Sequence, residues 1–187
     1  MKQLVRDWRK DRLRPQFQDI ILGAVVRALR DNPRANAHMV GDEVREIVDI
    51  NLGFALAVPE GLVVPVIHGA KEKTLVEIAR HVRDVTKRVK AGTQTIEDLS
   101  SGTFTVTSLA SYGVDSFNAL LNPPEVGILG VGQIVEKPGV TDGKIAIRSR
   151  MSIGLTFDHR AWDGAPAGAF LQSVSRYLEI PDWLSAA

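Results

Sequence analysis

Helices packed on a mostly antiparallel or mixed β-sheet, an α/β two-layer sandwich, form the architecture that this 187-residue sequence predicts. Three observations carry that reading. Thr74 to Glu77 forms a capping box ahead of Leu75, Ile78, Ala79, Val82, Val85 and Val89, the amphipathic spacing of a helix that stops at Gly92. Short apolar runs bounded by turn residues dominate the second half of the chain, and the last of them, Met151 to Phe157, alternates large and small residues with a period of two. There is no internal repeat, low-complexity tract or long Pro- or Gly-rich linker, so residues 1–187 read as one domain. The order of elements suits neither a β-barrel nor a doubly wound nucleotide fold.

In chain order, Lys2 to Leu13 reads as a helix that Pro15 interrupts. A second helix starts near Asp19, buries Ile20, Ile21, Ala24, Val25, Ala28 and Leu29, and ends at Asn32-Pro33. Ala37 to Val40 and Val44 to Val48 flank Gly41-Asp42 as a hairpin. Ile50 to Val58 continues as an apolar strand up to the turn Pro59-Glu60-Gly61, and Leu62 to Ile67 is the next strand. After the capped helix come strands at Phe104 to Ser108, Val126 to Val131, Lys144 to Arg148 and Met151 to Phe157, with a turn at Asp142-Gly143. Ala165-Pro166 opens a last helix, with Ala169, Phe170, Val174, Tyr177 and Leu178 at helical spacing, which stops before Pro181.

Composition narrows the function. Lys+Arg 23 against Asp+Glu 22 gives no overall electrostatic case for nucleic acid or an anionic membrane. The basic clusters in Lys2 to Arg14 and Arg80 to Lys90 interleave with apolar residues, as solvated helix faces do. Zero cysteines exclude disulfides, thiolate metal sites and a covalent cysteine intermediate. No apolar run approaches the ~18 residues that span a bilayer. The start lacks the apolar core of a secretory signal, so cytoplasm or an organelle matrix is expected.

Between the last strand and the last helix stands Asp158-His159-Arg160-Ala161-Trp162-Asp163-Gly164. Histidine suits proton transfer because its unperturbed pKa of about 6.5 lets the neutral ring accept a proton and return it. Asp163 is spaced to orient His159, although a His with an Asp four residues on is by itself a common surface pair. Gly130-Val131-Gly132 lacks the third glycine and the helix of a phosphate loop. His38, His68 and His81 have no partner at metal-ligand spacing, so no metal is expected.

Three segments taken together are more specific: GTFTVTSL at Gly102 to Leu109, NPPEVGILGVG at Asn122 to Gly132, and TFDHRAWDG at Thr156 to Gly164. They resemble the catalytic core of the dihydrolipoamide acyltransferases of 2-oxo acid dehydrogenase complexes, in the chloramphenicol acetyltransferase-like superfamily. DINLGFALAVPEGLVVPVI and TLVEIARHVRDVTKRVKAG add to the likeness, which covers nearly the whole chain. The resemblance implies the chloramphenicol acetyltransferase-like sandwich. It also implies transfer of an acyl group, acetyl or branched-chain, between the thiols of lipoamide and coenzyme A, both of them substrates. In that scheme His159 is the general base, Thr107 is the oxyanion donor with Ser108 as its neighbouring alternative, and Asp163 holds the active-site loop. Ser108, Asn122, Pro123 and Pro124 are then expected beside the coenzyme A channel.

The resemblance further implies a homotrimer, with base and hydroxyl meeting across a subunit boundary. Eight or twenty trimers would build a 24- or 60-subunit core that serves decarboxylase and dihydrolipoamide dehydrogenase components. The chain departs from the family pattern in starting within the first helix, in carrying Trp162 where a smaller aliphatic residue is commoner, and in lacking a Leu-rich tail after Trp183. Neither a lipoyl nor a subunit-binding module is recognisable, so the acyl carrier is expected to lie outside residues 1–187. A catalytically silent scaffold and a free-standing coenzyme A-dependent acyltransferase are the alternatives. Transfer to dihydrolipoamide, to small alcohols or amines, or to no acceptor distinguishes the three.

Overall fold

The computed structural model describes residues 15–59, 61–141 and 143–186. The expected Lys2 to Leu13 helix lies outside the described residues, as do Glu60 and Asp142 of two expected turns, and Ala187. Five strands form the main sheet, in the order β6-β3-β7-β8-β9. They are β3 (Leu52–Phe54), β6 (Val66–Ile67), β7 (Phe104–Ser108), β8 (Gly127–Thr141) and β9 (Lys144–Phe157). The sheet is mixed: β3 and β7 are parallel, as are β7 and β8, while β3–β6 and β8–β9 are antiparallel. Two small hairpins flank it, β1 (Ala37–Val40) with β2 (Glu43–Glu46) and β4 (Leu56–Val58) with β5 (Gly61–Val63).

The helices are α1 (Phe17–Asp31), α2 (Leu75–Lys90) and α3 (Gly164–Glu179). α1 packs against both of the others. It is accordingly buried almost all round from Asp19 to Leu29, whereas α2 buries one stripe, as its amphipathic spacing requires. Phe54, Phe104, Leu129, Ile20, Leu22 and Phe170 meet in a single core between the sheet and the helices. The α2 N-terminus has the expected capping box: the Thr74 hydroxyl accepts from the Glu77 backbone and the Glu77 carboxylate accepts from the Thr74 backbone. Thr74→Ala is expected to lower stability by about 1 kcal/mol in urea unfolding, because the cap is exposed and its loss leaves an orphan donor in water.

Strand boundaries differ from the sequence expectation where tertiary contacts decide them. Ile50 to Val58 is broken at Ala55, whose N–H donates to Val106 O of β7, and Leu62 to Ile67 is broken at Val64-Pro65. Each half then pairs in a different sheet. Lys144 to Arg148 and Met151 to Phe157 are one strand, and Val126 to Val131 extends to Thr141. Beyond the register shift at Val131/Ile134, β8 and β9 pair only with each other, as a ribbon with Val140, Ile145 and Ile147 exposed.

Candidate active site

Residues 158–163 connect β9 to α3, and several short contacts fix this turn. Asp158 N–H donates to Val126 O at 2.9 Å, and the Trp162 indole N–H reaches the same carbonyl at 3.3 Å. Ala161 N–H closes the turn on Asp158 O at 2.9 Å. The Asp158 carboxylate accepts from Arg160 N, Nε and Nη2 at 2.7–3.0 Å. These hydrogen bonds hold its pKa below the usual carboxylate range. Asp158 and Arg160 therefore anchor the loop, as a structural reading of the pair requires. Trp162 is buried between Phe157 and Phe170, with ring centroids 5.4 and 6.0 Å away, and Phe170 continues to Phe104 at 5.3 Å.

This rigid turn presents His159 to solvent, its side chain 73% exposed. Nδ1 lies 3.5 Å from Asp163 Oδ1, and the ring packs 5.5 Å from Phe157. Asp163 is the N-cap residue of α3 and is itself exposed. A neutral imidazole whose Nδ1 faces a carboxylate keeps Nε2 available to take a proton.

Thr107 lies elsewhere. It is half-buried near the end of β7, level with Gly130 of β8, and borders a cavity of about 530 Å³ whose walls include Phe17, Phe54, Leu56, Val106 and Tyr112. The Ser108 hydroxyl is already engaged, donating to Val131 O at 3.2 Å and accepting from Ala110 N at 3.3 Å. Phe157, next to the His159 turn, is level with Gly127. Three residues along the strand and two strands across, at roughly 3.3 Å and 4.8 Å per step, separate the two positions by about 14 Å. A threonine and a histidine side chain of one chain cannot bridge that distance.

Asn122, Pro123 and Pro124 are exposed and do not line the Thr107 cavity; they precede Val126, at the His159 end of β8. The Pro123-Pro124 peptide bond is cis, and Met39 N–H donates to Pro124 O at 2.8 Å. Sequence reasoning passed over Glu125. It is 4% exposed, accepts from the Thr105 hydroxyl at 2.6 Å and from Asn122 Nδ2 at 3.2 Å, and burial pushes its pKa up to about 7. In the sequence it is a carboxylate directly ahead of the apolar run Val126 to Val131, which by itself reads only as part of a strand entry.

Gly130 and Gly132 serve packing: a Cβ on Gly130 would meet the Phe117 ring at 3.3 Å, and one on Gly132 would overlap the Asp115 backbone. The histidines outside the turn bond backbone carbonyls, His38 at Gly102, His68 at Glu97 and His81 at Val66. Among the described residues no three His, Cys, Asp or Glu side chains gather as a metal site, and no helix is long and apolar enough to cross a membrane.

The family model of the 2-oxoacid dehydrogenases acyltransferase (catalytic domain) matches residues 1–186. The dihydrolipoyllysine-residue acetyltransferase component of the acetoin cleaving system of Bacillus subtilis is 42% identical over 159 residues, covering 84% of this chain and 40% of that protein. The lipoamide acyltransferase component of the branched-chain alpha-keto acid dehydrogenase complex of the same organism is 39% identical over 167 residues, covering 89% and 39%. The chain thus spans about 40% of the length of these relatives.

Among solved structures, the cubic core of the pyruvate dehydrogenase multienzyme complex superposes with a TM-score of 0.88 at 26% identity, covering 98% of this chain and 75% of that one. Azotobacter vinelandii dihydrolipoamide acetyltransferase gives 0.87 at 26% identity, covering 92% and 72%. That structure was studied for the catalytic role of a histidine, a serine 52 residues before it and an asparagine four residues after it. A chloramphenicol acetyltransferase, at 18% identity, 87% and 78% coverage and a TM-score of 0.56, shares the fold.

Proposed function

Because the chain belongs to the family of the 2-oxoacid dehydrogenases acyltransferase catalytic domain, we propose that it moves an acyl group between the thiols of lipoamide and coenzyme A. One observation carries this reading down to residues. Thr107 stands 52 residues before His159 and Asp163 four after it, the spacing of the serine, histidine and asparagine studied in the Azotobacter enzyme. The same match favours Thr107 over Ser108, whose hydroxyl is committed to Val131 and Ala110.

In the proposed reaction His159 Nε2 takes the proton of the attacking thiol. A thiol is mostly protonated at neutral pH, whereas the thiolate is the nucleophile. Sulfur adds to the thioester carbonyl, and the Thr107 hydroxyl donates to the oxyanion that forms. Collapse expels the other sulfur, which His159 reprotonates, so each thiol exchange returns the imidazole to its starting state. Asp163 keeps Nδ1 oriented and moves no proton.

The separation of Thr107 from His159 supports a site completed by a second copy of the chain, with His159 of one protomer facing Thr107 of the next in a homotrimer. The cubic core among its structural relatives supports larger assemblies of such trimers alongside the decarboxylase and dihydrolipoamide dehydrogenase components. Relatives of the acetoin and branched-chain systems support an acetyl or branched-chain acyl group. The test is acetyl transfer from acetyl coenzyme A to free dihydrolipoamide, on protein whose oligomeric state is measured in the same buffer. Transfer by a trimer or larger assembly is the expected result. A well-folded trimer that transfers to no acceptor overturns the proposal in favour of a silent scaffold.

A further inference from the structure

Gly102, Thr105, Asn122, Glu125, Val126, Asp158 and Trp162 come from three separate segments of the sequence, yet they form one chain of contacts. The Glu125 carboxylate sits at its centre. Thr105 Oγ1 of β7 donates to Oε2 at 2.6 Å and Asn122 Nδ2 donates to Oε1 at 3.2 Å. Gly102 lies so close that a Cβ there would meet Oε1 at 2.7 Å. The backbone of the same residue is fixed from two further directions. Glu125 N–H donates to Asn122 O at 3.0 Å, closing the turn, and Glu125 bridges His38 of β1. The next carbonyl along, Val126 O, is the one from which Asp158 N–H and the Trp162 indole both hang.

We infer that Glu125 is a positioning residue for the His159 turn, tying the Asn122–Val126 segment to β7 so that the Val126 carbonyl holds Asp158 and Trp162 in place. Displacing that carbonyl displaces both anchors of the turn at once. A buried carboxylate held, among the described residues, by two neutral donors is sensitive to its own charge. His38 is the titratable residue facing it from β1, and its ring is turned to Gly102 O at 2.9 Å; His81, on α2, reaches Val66 O, beside Gly102. Burial keeps Glu125 neutral up to about pH 7.

The sign follows from the raised pKa. Relative to the unfolded chain, whose glutamate ionises near 4.5, the neutral acid's contribution is complete below that pH and is lost as the pH rises through about 7. The turn therefore loosens on the alkaline side of neutrality. This consequence is visible in Trp162 without any catalysis. Only its effect on turnover rests on His159 acting as the base.

The experiment is a pH titration of tryptophan fluorescence on the full chain, with the Trp162 share identified by its absence in Trp162→Phe. A step with a midpoint at about 7 is expected in the native protein and in His159→Gln, which removes the nearby imidazole, and it should vanish in Glu125→Gln. Survival of the step in Glu125→Gln, or no step in the native protein, overturns the inference. Kinetics give the second readout. Glu125→Ala should lower kcat about tenfold or more, because a displaced base loses alignment, with KM for acetyl coenzyme A changed less than twofold. Glu125→Gln, which keeps the shape and an acceptor oxygen, should restore most of the rate at pH 6.5. Native kcat in Glu125→Ala removes the positioning role. If Glu125→Ala does not fold, the fluorescence of the glutamine variant decides alone.

Discussion

Replacing His159 by alanine is expected to lower acetyl transfer to dihydrolipoamide by ~10²- to 10⁴-fold while leaving fold and assembly intact. The first half follows from the chemistry: the attacking thiol must lose its proton, and no other described titratable side chain is held on this turn with a free ring nitrogen. The second half follows from burial. The imidazole is 73% exposed, with a 3.5 Å approach to Asp163 and a tilted ring contact with Phe157. The turn itself is held by backbone bonds to Val126 O and by Trp162, none of which uses the imidazole. Steady-state transfer rates, circular dichroism and sedimentation of the same preparation check both halves. A variant that transfers at the native rate would sink the assignment of His159 as base.

Thr107→Val is the second large effect. Valine keeps the branched shape on the half-buried strand and removes only the hydroxyl, so the expected loss is ~10²- to 10³-fold in kcat with little change in KM, as for one oxyanion donor. Thr107→Ser should retain most of the rate, because the donor remains. Their separation in one chain adds a sharper expectation, since Phe157, two residues before His159, already lies about 14 Å from Thr107. When His159→Ala and Thr107→Val chains are co-assembled, some sites pair an intact imidazole with an intact hydroxyl. Random mixing at equal amounts should rebuild about a quarter of the sites. Mixed trimers that stay as inactive as either parent would refute a shared site.

The two residues were legible in the sequence for different reasons. His159 announces itself through a strand, a constrained turn and a helix opened by Ala165-Pro166, all local patterns. Thr107 is one hydroxyl among several in GTFTVTSL, and only the three-segment resemblance singles it out. Glu125 was not legible, because the features that make it unusual are a neighbour from β7, a glycine 23 residues before it and the exclusion of water. Its own neighbours in sequence are two prolines and an apolar strand, which read as a rigid strand entry.

The fold divides in the same way. Local chemistry by itself determined the capped α2, the period of β9, the boundaries of α3 near Pro166 and Pro181, and the sandwich class, since capping, periodicity and proline geometry act within a few residues. Tertiary structure alone decided where Ile50 to Val58 breaks, that β7 lies parallel between β3 and β8, and that Thr107 and His159 face opposite ends of the sheet. Those outcomes depend on which distant strand supplies the hydrogen-bond partners, as when Val106 O captures Ala55 N–H. Sheet pairing is a contest among non-local partners with similar local preferences, and burial against the helices settles it.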